Sequence, residues 1–146
     1  MAIALLVTAL SITAAISIHW QGLSFLWRHV RPRLGSRGGH GIIVLVLGCI
    51  AAHLLEIGLF ALGIFITAAW EGRIHLADEF RDKNLDLWYY SAAFYTSLGT
   101  DRPPTAGLRV FVAAEALTGL ILITWTASFL FILMQAAWGN EGGDKG

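Results

Sequence analysis

Three apolar runs, at residues 2–18, 41–70 and 108–137, leave this chain few folds to choose from. Runs of about 17–25 apolar residues are what a helix needs to cross the ~30 Å hydrocarbon core of a bilayer. Inside that core only helices and closed barrels satisfy every backbone polar group. With 146 residues, 56% of them hydrophobic and 14% charged, and a mean hydropathy of +0.65, the chain has too little polar surface to wrap these runs for water. The sequence therefore predicts an all-α membrane protein with three transmembrane helices. Nucleic acid is not an expected partner. The single cysteine, Cys49, lies inside the second run and reads as a small core residue.

Charge fixes an expected orientation. No Lys or Arg precedes the first run, so residues 2–18 read as a retained helix and not as a cleaved leader. Residues 28–40 carry Arg28, Arg31, Arg33 and Arg37 and no acid, the signature of a short loop held on the cytoplasmic side. The same patch also suits anionic lipid. Residues 1–40 are then an N-terminal helix with a basic cytoplasmic loop, and 41–70 an outer helix running outward. Residues 71–86, with five acids against Arg73, Arg81 and Lys83, form an extracellular loop. An inner helix at 107–137 returns the chain to the cytoplasm, and the Gly-rich residues 139–146 are expected as a disordered tail. The expected setting is the inner (plasma) membrane, multi-pass, with membrane lipid around it and the C-terminus cytoplasmic.

Residues 87–103, inside a pore domain spanning 41–138, are too short to cross a bilayer. They read as an aromatic pore helix at 87–97, with Asp86 as its N-cap, followed by a filter loop at 97–102 and Pro103. Irregular backbone at membrane depth is tolerated only where protein buries it or where it lines a water-filled path, so this layout predicts a re-entrant loop. Its helix would direct the negative end of its dipole toward mid-membrane and favour a cation there. The carbonyls and hydroxyls of 97–101 would replace part of an ion's hydration shell if several copies faced one axis.

Phe94-Tyr95-Thr96-Ser97, the Leu98-Gly99 core, Pro103 and Glu115-Ala116-Leu117-Thr118-Gly119 resemble the pore domain of two-transmembrane potassium channels, and within it the small bacterial potassium-channel-like membrane proteins. His53-Leu54-Leu55-Glu56 is similar to the incoming helix of those small proteins. The resemblance covers about residues 85–135 and implies a homotetramer with four filter loops on one axis. It also implies ion contacts from Thr96, Ser97, Leu98, Gly99, Thr100 and Asp101. Where the family carries Thr-Val-Gly-Tyr-Gly this chain reads Ser97-Leu98-Gly99-Thr100-Asp101, so the bracing Tyr and the second Gly are gone. A shorter filter follows, with a monovalent or divalent cation held at Ser97, Gly99 and Asp101. Arg102 at the mouth either neutralises the Asp101 ring or repels cations. The expected function is a tetrameric cation channel for monovalent ions with weak K+ selectivity, extending to divalents. The alternatives are a K+-selective channel despite the altered filter, or a non-conducting sensor or scaffold. Permeating K+, Na+ or Ca2+ are the expected ions, with no cofactor.

Ionisable groups within spans default to functional hypotheses. Glu115, Gly119, Leu122 and Thr126 share a helical stripe that either lines a cavity or gate or packs structurally. Trp125, Phe129 and Phe131 either narrow an inner gate or face lipid. His53 and Glu56, at i and i+3, form an intramembrane polar pair, read as a satisfied inter-helix contact ahead of a metal or proton site. Gly48 and Ala52 offer a neighbouring stripe where another helix can come close. An enzyme is not expected, because a metal centre on His53, Glu56 and Glu115 lacks a third nitrogen ligand.

Overall fold

A computed structural model describes residues 2–33, 39–70, 83–101, 104 and 108–142. Four α-helices account for nearly all of them: α1 at Ala2–His29, α2 at Gly39–Trp70, α3 at Lys83–Tyr95 and α4 at Leu108–Gly142, with a 3-10 turn at Arg31–Arg33 after α1. Three of these, α1, α2 and α4, are long and apolar enough to cross a membrane. The chain is thus an all-helical, multi-pass membrane protein. Its outward faces carry Leu5, Leu10, Leu47, Leu55, Leu62 and Ile121 in the open, a surface suited to lipid.

The boundaries follow local chemistry. α1 continues eleven residues past the apolar run that ends at Ile18, and stops just before Pro32, which disfavours helix in the residue ahead of it. Arg28 and His29 occupy its last turn, where cations suit the dipole, and the Arg31 guanidinium lies 4.2 Å over the Trp27 ring. α3 begins at Lys83, one turn earlier than expected, so Asp86 stands in its first turn and not at the N-cap. α4 extends to Gly142, into the segment expected to be a disordered tail.

Two apolar clusters hold the helices together. One joins Ala15 of α1, Ile57, Phe60 and Ile64 of α2, Tyr90 and Tyr95 of α3, and Leu108, Phe111, Val112 and Leu122 of α4. The other joins Leu23 and Leu26, Leu45 and Cys49, and Leu133. Residue numbers rise together along α1 and α4 and fall along α2, so α1 and α4 run one way and α2 the other. Lipid supplies no hydrophobic drive between helices, so close approach depends on small residues. A Cβ on Gly22 would meet Ala52 at 3.3 Å, and one on Gly48 would meet Leu26. The helix that comes close to the Gly48–Ala52 stripe is therefore α1.

Candidate functional site: a half-helix and the polar layer at its end

At 1.5 Å per residue the 13 residues of α3 extend about 20 Å, well short of a ~30 Å hydrocarbon core. The helix is seated between α2 and α4. Ser91 Oγ lies 2.9 Å from the Ile57 carbonyl oxygen and 2.5 Å from Glu115 Oε1. The Trp88 indole faces Gly58, and the Tyr95 carbonyl packs so tightly on Gly119 that a Cβ there would come within 2.1 Å of it. Tyr95 at the C-terminal end of α3 thus reaches the level of His53, halfway along α2.

Beyond Tyr95 the chain turns sharply. Thr96 and Ser97 amides bond to the Ala92 and Phe94 carbonyls, and the Gly99 amide to Ala93. The Thr96 hydroxyl also donates to Ala92 at 2.7 Å. Ser97 and Gly99 have positive φ, 59° and 75°, the left-handed region that Gly enters freely and other L-residues resist. Asp101, which stands where the resembled family has its second glycine, has no such φ. Leu98 is 78% exposed, Thr96, Ser97 and Asp101 are exposed, Gly99 and Thr100 half-buried, and the Thr100 hydroxyl reaches the Asp101 carboxylate at 3.3 Å. Within one chain Ser97 and Asp101 lie open at the surface and Gly99 is half-buried between them. Arg102 and Pro103 fall outside the described residues, as do residues 71–82.

Between the two apolar clusters lies a polar layer. Glu56 is fully buried; its Oε1 accepts from His19 Nδ1 at 2.8 Å, and its Oε2 lies 3.1 Å from His53 Nδ1 and accepts the Tyr95 hydroxyl. His53 Nδ1 also stands 2.9 Å from the Tyr95 hydroxyl. The Nε2 atoms of both histidines converge on the Thr126 hydroxyl, at 3.0 Å from His53 and 3.4 Å from His19. Trp125 packs its ring on His19, centroids 5.3 Å apart. All four helices contribute: His19 from α1, His53 and Glu56 from α2, Tyr95 from α3, and Thr126 from α4.

Glu115, Gly119, Leu122 and Thr126 all turn inward on the chain's own helices: Glu115 is 0% exposed and Leu122 1%. The cause is Gly119, which lets α3 lie directly on this stripe. On α4 the residues facing away are Leu117, Ile121, Thr124 and Ser128. His53 and Glu56 contact each other and a wider set than their spacing indicates: His19, Tyr95 and Thr126 join them. His19 stands directly after the apolar run that ends at Ile18, outside the stretch that composition marks as a span. The available signal was that His19 is the only ionisable residue before Arg28 in a stretch otherwise apolar enough to span.

Fold and site define a multi-pass helical membrane protein in which the short helix α3 ends on a buried polar layer. The chain matches no protein-family model, no curated protein and no solved structure.

Proposed function

We propose that the chain is the subunit of a cation-conducting membrane pore, with α3 as a re-entrant pore helix and residues 96–101 as the ion path in a homotetramer. One observation carries this reading. α3 stops level with the middle of α2, and the chain then reverses through Ser97 and Gly99 with residues 96–98 and 101 exposed. Irregular backbone at that depth calls for either protein cover or a water-filled path. Four copies around an axis supply both, with carbonyl and hydroxyl oxygens in place of ion hydration.

The selectivity that fits is weak preference for K+ over Na+, with access for divalent ions such as Ca2+ through an Asp101 ring. The aromatic brace and second glycine of the resembled potassium channels are replaced by Thr100 and Asp101. The membrane that fits the arginines at 28, 31, 33 and 37 is an inner (plasma) membrane with this loop and the end of α4 cytoplasmic.

The test is ion flux through liposomes holding the purified protein. Cation flux is expected, with reversal potentials that separate K+ and Na+ only slightly. Asp101→Asn should lower any passage of Ca2+ relative to K+. Absence of flux under K+, Na+ and Ca2+ gradients sinks the channel reading and leaves a non-conducting scaffold.

A further inference from the structure

We propose that His19, His53, Glu56 and Tyr95 form a binding site for one divalent transition-metal ion of the zinc class. This inference is independent of conduction. It rests on a constellation that the pore reading does not use. The ligand atoms that His19, His53 and Glu56 can offer lie within 4.8 Å of one another. The Tyr95 hydroxyl closes the set, bonded to Glu56 and 2.9 Å from His53 Nδ1.

The spacing suits a metal. Four ligands held 2.0–2.1 Å from a tetrahedral ion stand about 3.3 Å apart. The nitrogen–oxygen separations here, 2.8 Å from His19 Nδ1 to Glu56 Oε1 and 3.1 Å from His53 Nδ1 to Glu56 Oε2, are a few tenths of an ångström shorter, and the Tyr95 hydroxyl is closer still to Oε2. Outward movement of the two rings and of the Tyr95 hydroxyl admits the ion. With the metal on both Nδ1 atoms, each Nε2 carries a proton, and both already face one acceptor, the Thr126 hydroxyl. Metal-bound histidines almost always donate their other ring N–H to such an outer partner. Thr126 is thus a positioning residue for both rings.

Charge also balances. Among the described residues, the ion-pair partners of buried Glu56 are the two histidines. A divalent ion, the Glu56 carboxylate, a Tyr95 phenolate and two neutral imidazoles in their Nε2–H form sum to zero charge, the phenol proton leaving as the ion enters. Two nitrogens and two oxygens suit Zn2+ or Co2+; Mg2+ and Ca2+ take sets of oxygens. The His53 side chain, 18% exposed, offers the access route.

The test uses the full chain in detergent micelles, stripped with a chelator and titrated with Co2+. Expected are one ion bound per chain, the intense visible absorption of four-coordinate Co2+, displacement by Zn2+, and no displacement by Mg2+ or Ca2+. Thr126→Val should weaken binding by about 10–100-fold, and His19→Gln with His53→Gln should abolish it. His29→Gln with His40→Gln should leave it unchanged. The proposal is overturned by a Co2+ spectrum that stays six-coordinate, or by absorption that survives the loss of both His19 and His53. Should that double variant not fold, unchanged affinity in Thr126→Val overturns it equally.

Discussion

The Ser91 hydroxyl stands within hydrogen-bond reach of two oxygens, the Ile57 carbonyl and Glu115 Oε1, and has one proton to give. Glu115 Oε2 has no hydrogen-bond partner among the described residues. A side chain that donates toward Ser91 while Ser91 donates to Ile57 satisfies both contacts, and an amide can do that. Glu115→Gln is therefore expected to fold with a stability change under about 1 kcal/mol. Glu115→Ala removes the partner and leaves a void, a loss of about 2 kcal/mol or more. Thermal unfolding in detergent compares the two; equal losses would show that charge, not the bond to Ser91, matters at this position. Gly99 presents the opposite case. Nothing lies within 4 Å of where its Cβ would be, but its φ is +75°. Gly99→Ala should cost about 1–2 kcal/mol of backbone strain, confined to the 96–101 turn, so ion flux should change more than the unfolding temperature.

At the scale of elements, the seat of α3 on α4 depends on one missing methyl group. A Cβ on Gly119 would come 2.1 Å from the Tyr95 carbonyl oxygen, and backbone cannot swing aside as a side-chain tip can. Gly119→Ala should push α3 off α4 at about 1–3 kcal/mol or more, and loosen the Tyr95 hydroxyl from Glu56. Gly22→Ala, facing Ala52 Cβ at 3.3 Å, should cost clearly less. Unfolding of the two variants side by side checks this; similar losses would mean that the α3–α4 contact yields easily. The extents of α2 and α4 were largely legible because long apolar runs admit little else in a membrane. α3 was legible from its aromatic half and the glycine that follows. The end of α1 was not, because His19 looks like the close of an apolar run when its partner Glu56 is 37 residues away. No local spacing connects them, and only the packing of α1 on α2 brings them together. The choice between cavity lining and packing for Glu115 and Thr126 stayed open for a related reason. A helical stripe states which residues share a face, not which neighbour that face meets.

On the scale of the whole molecule, three spans put the start of α1 and the end of α4 on opposite sides of the membrane. The arginines between α1 and α2 then argue for one orientation. Reporter tags between α1 and α2 and after residue 142 should both be cytoplasmic; tags on opposite sides would overturn that arrangement. The assembly question reduces to what covers α4. Its inner stripe is occupied by α1, α2 and α3, so any ion path through the proposed tetramer below residues 96–101 must run along the outer stripe, where Thr124 and Ser128 interrupt an apolar surface. Both hydroxyls already bond to carbonyls one turn back, so their polarity alone does not distinguish water from lipid. Reactivity does. A charged thiol reagent reacts fast only with thiolates in water, and Cys49 is buried. Ser128→Cys or Thr124→Cys should therefore lose most of its ion flux on treatment, whereas Leu62→Cys, exposed on α2, should keep it. Block at position 62 with none at 124 or 128 would put the path on a different face of the chain.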